Sequence, residues 1–171
     1  MKGYVQIYTG DGKGKTTAAL GLAIRACGAG LRVYIGQFLK TQRCSEFTFI
    51  RERCPDVRME CFGRRCMIRG KPSADDAKAA RRGLARLREA ITGGVYDVVI
   101  ADEINVAAKI GVVTVEDILS LLEARPKQVE FILTGRNADA RVIERADLVT
   151  EMRKIKHYFD RGVAWRPGVE A

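Results

Sequence analysis

The sequence has little of what several common classes of protein require. It contains one histidine and five cysteines, none of them in a Cys-x-x-Cys pair, which fits neither a zinc site nor a disulfide framework. No apolar run approaches the roughly 18 residues of a membrane span, and we expect no signal peptide before the first strand-like segment. We therefore expect a cytoplasmic protein with reduced thiols and no membrane partner. Cys54, Cys61 and Cys66 lie close together in the sequence, which leaves a redox or soft-metal role open for them.

The chain has the size and composition of one globular domain. Its 171 residues are 47% hydrophobic and 30% charged, and they contain no repeat or linker. We expect residues 1–171 to form a single domain.

Short apolar segments alternate with helical patterns along the chain. Strands are predicted at residues 4–8, 32–38, 96–101, 129–133 and 148–151, the last as an edge strand. Helices are predicted from the region of Lys15 to Gly28, after Ser73 and after Thr114, and residues 40–73 are expected to hold a strand within irregular loops. This alternation indicates an α/β fold with a mainly parallel sheet flanked by helices.

Residues 9–17 read Thr-Gly-Asp-Gly-Lys-Gly-Lys-Thr-Thr between a predicted strand and a helix, which is the context of a phosphate-binding P-loop. Its glycines are expected to take positive φ and to turn backbone N–H groups inward. Lys15 is expected to reach phosphate oxygens, and the Thr16 hydroxyl to ligate Mg²⁺. The predicted ATP-binding residues here are Gly10, Asp11, Gly12, Lys13, Gly14, Lys15, Thr16 and Thr17.

The strict P-loop pattern has a glycine where this chain has Thr9. This departure leaves open which end of the nucleotide lies in the loop. A glycine-rich turn without a ligand is the alternative interpretation of the segment, which the flanking strand and helix disfavour.

An acidic pair follows the predicted strand that ends at Ala101. Asp102 and Glu103 stand where a Walker-B carboxylate holds Mg²⁺, so we predict a metal site of Thr16, Asp102 and Glu103. A solvated pair of carboxylates is the alternative. Arg136 follows the next predicted strand and is predicted to contact ATP. The carboxyl ends of parallel strands form one edge of the sheet, where ligands bind.

The positive charge of the chain is concentrated in one region. Residues 40–88 hold 14 Lys/Arg and 6 Asp/Glu, a net +8, whereas the remaining residues hold 16 and 15, a net +1. The region is either a solvated basic face or a docking surface for an anionic partner.

Five segments together resemble the P-loop type of ATP:corrinoid adenosyltransferase. They are TGDGKGKTTAALGLAIRACGAG, FLK at 38–40, YDVVIADEIN at 96–105, LTGRNAD at 133–139 and ADLVTEMRKIKHYFDRGV at 146–163. The resemblance covers nearly the whole chain in order.

The resemblance implies a reaction and a set of partners. The family transfers the 5′-deoxyadenosyl group of ATP to the cobalt(I) of a reduced corrinoid and releases triphosphate, in the synthesis or salvage of adenosylcobalamin. It implies a RecA-like fold, Mg²⁺ or Mn²⁺, a homodimer, a flavodoxin-like acidic reductant and an ATP turned unusually in the loop. Lys15, Thr16 and Glu103 are then the expected catalytic residues.

Many members of the family place Gly-Phe-Thr-Trp after the third strand, where the aromatic side chains crowd the lower face of the corrinoid. This chain instead reads CFGRRCMI at residues 61–68. Phe62, Met67 and Ile68 are the apolar residues that we expect at that face, and ordinary core packing is their alternative role.

Two other functions remain open at this point. A small-molecule or nucleoside kinase would use the same loop, with Asp102 or Glu103 as the base. A non-catalytic, ATP-dependent polyanion-binding protein would use the basic region, but the arginine-rich stretch lacks the interleaved aromatic residues that stack on bases, which disfavours nucleic acid.

Overall fold

A computed structural model of the protein describes residues 2–63 and 71–170. In these residues six strands form one sheet in which every pair of neighbours is parallel, in the order β3-β2-β4-β5-β1-β6. The strands are β1 (Val5–Thr9), β2 (Val33–Phe38), β3 (Val57–Phe62), β4 (Val98–Asp102), β5 (Glu130–Thr134) and β6 (Leu148–Glu151).

Within residues 2–63 and 71–170, six α-helices connect the strands. They are α1 (Lys15–Gly28), α2 (Ser45–Arg53), α3 (Ala74–Thr92), α4 (Ile104–Lys109), α5 (Val115–Ala124) and α6 (Ala140–Glu144), and a 3₁₀ turn follows at Tyr158–Arg161. Among the described residues no helix has the length and the apolar character needed to cross a membrane.

The sheet is covered on both faces, as its apolar strands require. Ala19, Ala23 and Ala26 of α1 and Phe47 of α2 pack with Ile100 on one face. The opposite face, with Val99, packs against the apolar side chains of α3, α4 and α5. The α/β fold with helices flanking a parallel sheet is therefore confirmed.

Most of the predicted elements are present, with two additions. The edge strand 148–151 and the capping boxes of Ser73 with Asp76 and Thr114 with Asp117 occur as predicted. The prediction of only loops around one strand in residues 40–73 is wrong, because α2 occupies Ser45–Arg53 before β3. Helix α4 was also missed, and β4 extends one residue further than predicted, to Asp102.

The register of the strands brings the predicted site residues to one edge. Tyr8 pairs with Thr134, Gln37 with Asp102, and Ala101 with Leu133, so β1, β2, β4 and β5 end at the same level. The loops that follow these strands therefore meet above the sheet, where a ligand of an open parallel sheet binds.

Candidate active site

The glycine-rich loop between β1 and α1 packs closely on the chain that follows β6. Gly10 and Gly14 take φ values of 92° and 121°, as predicted. Gly12 does not have positive φ, which corrects the prediction. It is required instead because a Cβ there would lie 2.7 Å from the carbonyl oxygen of Met152, to which the Gly12 N–H donates a hydrogen bond at 2.6 Å.

The Lys15 side chain folds back into the loop. It is only 7% exposed, and its ammonium donates hydrogen bonds to the carbonyl oxygens of Gly10 at 2.6 Å and Gly12 at 2.7 Å. Burial, reinforced by the nearby charge of Arg136, lowers the pKa of Lys15. A buried cation of this kind gains from an anion placed in the loop.

Asp102 lies at the centre of a hydrogen-bonded cluster and is 1% exposed. Its Oδ1 accepts from the hydroxyls of Thr16 at 2.9 Å and Thr134 at 2.6 Å. Its Oδ2 accepts from Gln37 Nε2 at 3.0 Å and from Lys40 Nζ at 3.0 Å. Four donors occupy the roughly four acceptor positions of a carboxylate.

Lys40 is a residue of the site that the sequence prediction missed. Its Nζ lies 3.0 Å from Asp102, 3.4 Å from Thr16 Oγ1 and 3.6 Å from Glu46 Oε1. Burial lowers the pKa of Lys40, but the charge and hydrogen bond of Asp102 outweigh this effect, and the net shift is upward. Gln37 of β2 and Thr134 of β5 were also missed, because each lies on a different strand from Asp102.

Glu103 differs from its neighbour in having a free carboxylate. Its backbone turns into the left-handed region at φ 60°, and its N–H donates to Thr134 Oγ1 at 2.9 Å. Its side chain accepts no hydrogen bond from the described residues. Burial, followed by the charge of Asp102, raises the pKa of Glu103.

A cavity of about 710 Å³ opens in front of these groups. Its walls include Gly12 to Thr17, Lys40, Glu103 and Arg136, and an apolar part formed by Leu20, Ile24 and Phe49. Of the predicted ATP-binding residues, Gly10 and Asp11 do not line it. Arg136 Nε lies 4.0 Å from Asp11 Oδ1, with both side chains exposed.

The structure describes only one of the three residues predicted at the corrinoid face. Phe62 is 3% exposed, and its ring packs against Phe38 at a centroid distance of 5.8 Å. The structure therefore places this side chain in the core. Met67 and Ile68, like Cys66, lie outside the described residues.

The C-terminal segment reaches the same cavity. Lys13 Nζ donates a hydrogen bond to the carbonyl oxygen of Val169 at 2.6 Å, and His157, Gly168 and Glu170 also line the wall. No role was predicted for this segment. The sequence gives no indication of this contact, because it joins residues 156 positions apart.

The donor set near Thr16 suits a hard divalent cation. Hydroxyl and carboxylate oxygens are the ligands that Mg²⁺ takes together with substrate phosphates. In the ranges 2–63 and 71–170 no group of three or more His, Cys, Asp or Glu side chains could hold a metal alone. Thr16 and Glu103 have coordination positions left, so these two residues fit such an ion.

Comparison with known proteins decides among the open functions. The model of the family described as ATP:corrinoid adenosyltransferase BtuR/CobO/CobP matches residues 1–171. The chain belongs to this family. It is therefore a transferase that acts on ATP and a corrinoid, and the kinase and polyanion-binding alternatives are not supported.

Individual relatives agree with the family match. Corrinoid adenosyltransferases of Pseudomonas aeruginosa and Escherichia coli K12 are 31% and 32% identical over 170 residues, which is 99% of this chain and 84% and 86% of theirs. One from Sinorhizobium is 34% identical over 172 residues, covering 99% and 80%. A KaiC-like protein from Pyrococcus horikoshii OT3 shares the fold, with a TM-score of 0.55 at 19% identity over 88% of this chain and 73% of its own.

Proposed function

We propose that this adenosyltransferase holds the triphosphate of ATP in the loop of Gly12 to Thr17 and delivers the 5′-carbon to cobalt(I) of a reduced corrinoid. The observation that carries the proposal is Lys15, which lines the cavity and whose buried ammonium is held by two loop carbonyls. The two carbonyls carry no net charge, so an anion in the loop would supply the counter-charge for this ammonium.

The proposed reaction needs cations more than it needs a base. Cobalt(I) donates an electron pair to C5′, the C5′–O bond breaks, and its pair leaves with the triphosphate, so no proton is transferred. The residues must position the two substrates, which is worth about 7–11 kcal/mol in well-oriented systems. A preorganised donor to the leaving group adds about 3–4 kcal/mol, and Lys15 and the loop N–H groups are such donors.

We propose that Mg²⁺ or Mn²⁺ accompanies the nucleotide, held by the Thr16 hydroxyl and the Glu103 carboxylate. The ion would neutralise negative charge on the triphosphate. Asp102 would act indirectly, because its four acceptor positions are filled and one of its donors is Thr16 itself. Arg136 would add a charge at the rim of the cavity, where it is free to move from Asp11 to a phosphate.

The apolar wall of the cavity suits the flat ring systems of the substrates. Ile24 and Phe49 are 64% and 56% exposed, beside a loop that is otherwise polar. We propose that Met67 and Ile68 provide further apolar contacts to the corrinoid, whereas Phe62 is buried in the core.

We also propose a single domain that works as a homodimer in the cytoplasm with a flavodoxin-like acidic reductant. The net charge of +8 on residues 40–88 supports an acidic partner. Cys27, Cys54 and Cys61 form no disulfide in the described part of the chain, which suits a reducing compartment.

The test is an anaerobic incubation with ATP, Mg²⁺ and chemically reduced cob(I)alamin. The cob(I) absorption band should decay to a light-sensitive alkylcobalt spectrum, and separation of the phosphates should yield intact triphosphate. Lys15→Met should lose this activity, whereas Lys109→Met, at an exposed lysine at the end of α4, should keep it. Formation of ADP, or ATP bound without any spectral change, would contradict the proposal.

A further inference from the structure

Lys40 occupies a position that is suited to a cation. Its ammonium is surrounded by oxygen atoms of Asp102 at 3.0 Å, Thr16 at 3.4 Å and Glu46 at 3.6 Å. The side chain is 19% exposed and also forms part of the cavity wall. Thr16 is the hydroxyl that we propose for the metal ion, so the ammonium lies next to the place that the ion would take.

The backbone at Lys40 is held in an unusual conformation. Leu39, directly before it, has a φ of 59°, which a non-glycine residue adopts only when its surroundings enforce it. Gly63 packs on the same peptide, and a Cβ at Gly63 would lie 2.5 Å from Leu39 C and from Lys40 N. Two independent features therefore hold the backbone in place at Lys40.

A divalent ion at Thr16 would conflict with the ammonium in its present place. Both are cations, and both would use the hydroxyl oxygen of Thr16, so they repel each other at short range. The four-carbon stem of a lysine allows the ammonium to turn without a change in the backbone. The cavity that Lys40 already lines is the open direction, and there the nearest anion would be the triphosphate.

We infer that Lys40 is a triphosphate ligand that holds the place of the metal ion until the nucleotide arrives. Without nucleotide its ammonium neutralises Asp102 and keeps the Thr16 hydroxyl oriented. When ATP enters with its metal ion, the ammonium moves to the triphosphate and donates to the oxygens on which the leaving charge develops. The inference rests on the proposed use of the loop for triphosphate.

The first measurement is the affinity for inorganic triphosphate in the presence of Mg²⁺, by isothermal titration calorimetry. Lys40→Gln retains an amide that can donate to Asp102 but removes the charge. We expect its affinity to fall about 10- to 100-fold, the loss of one hydrogen bond between charged groups. Lys40→Arg should lose less, because it keeps the charge, and Lys109→Gln should match the wild type.

The second measurement is Mn²⁺ binding without nucleotide, followed by electron paramagnetic resonance. Lys40→Gln should bind Mn²⁺ more tightly than the wild type, because the competing ammonium is gone, whereas Lys40→Arg should bind it as weakly as the wild type. A merely structural lysine would not produce this opposite change in the two affinities.

The outcomes separate the inference from the proposed function. Unchanged triphosphate affinity in Lys40→Gln, or unchanged Mn²⁺ binding, would overturn the role of Lys40 alone. A wild-type protein that does not bind triphosphate would overturn both. If a thermal melt shows that Lys40→Gln is unfolded, Lys40→Gln is combined with Asp102→Asn, and its triphosphate affinity should still be at least 10-fold below that of Asp102→Asn alone, by the same estimate; equal affinities would refute the inference.

Discussion

Replacing Asp102 with asparagine should lower the free energy of unfolding by about 3–5 kcal/mol, the usual cost of removing one partner of a buried ion pair. Asp102 is 1% exposed, and Lys40 Nζ lies 3.0 Å from it. After the change the ammonium would remain largely buried without its main counterion. The asparagine amide nitrogen would also face either the hydroxyl pair or the Gln37 and Lys40 donors, where it cannot accept a hydrogen bond.

A double-mutant cycle isolates the part of this loss that belongs to the ion pair. In the Lys40→Met background the ammonium is already absent, so Asp102→Asn should lower the free energy of unfolding by a smaller amount. We expect a coupling of about 2 kcal/mol, within the range of residues in direct contact. As a control, Asp102→Asn combined with Lys109→Met should be additive to within about 0.5 kcal/mol, because Lys109 is exposed at the end of α4.

The assay is urea unfolding at pH 7 followed by far-UV circular dichroism, with the four proteins of the cycle measured under identical conditions. A coupling of 2 kcal/mol corresponds to a difference of about 4–8 °C in Tm for a chain of this size, which gives a second readout. Additive effects of the two substitutions would refute the reasoning, because Asp102 and Lys40 would then be neighbours without a stabilising interaction.

Two further predictions concern the surroundings of this cluster. Gly63→Ala should displace the peptide before Lys40, since the new Cβ would meet it at 2.5 Å, and should lower triphosphate affinity together with Tm. Burial raises the pKa of Glu60, but the hydrogen bonds and charge of Arg86 outweigh it and hold the pKa below its usual value. Glu60→Gln should therefore lower the free energy of unfolding by about 0.5–1 kcal/mol at pH 7. In urea titrations the difference from wild type should shrink as the pH falls below about 4.3, the ordinary pKa of a glutamate, and vanish below the lowered pKa of folded Glu60.

Strands and helices that are marked by a pattern in a short stretch of residues could be predicted from the sequence. Apolar runs such as Val98 to Ala101 read as buried parallel strands, and the capping boxes at Ser73 and Thr114 mark helix starts. Helix α2 lacks both kinds of signal. Only Phe47 and Ile50 of its nine residues are buried, and its N-cap, Cys44, makes no side-chain capping bond.

The members of the site depend on contacts that the sequence does not encode locally. The P-loop and the acidic pair follow a known spacing, so they were predicted. Lys40 and Thr134 were not, because Lys40 follows β2 and Thr134 ends β5, and their distance from Asp102 along the chain gives no indication of contact. Pairing of β2 and β5 on either side of β4 creates the cluster.

The different roles of Asp102 and Glu103 follow from the geometry of a strand end. Side chains alternate between the two faces of a strand, so Asp102 lies on the same face as Ile100, which packs with α1. It therefore meets Thr16 in the first turn of that helix. Glu103 leaves the strand with a left-handed backbone, which directs its side chain to the cavity instead. The acceptor positions of Asp102 are thus filled by protein donors, whereas the carboxylate of Glu103 is left for a ligand. Two adjacent acidic residues in a sequence do not reveal this difference.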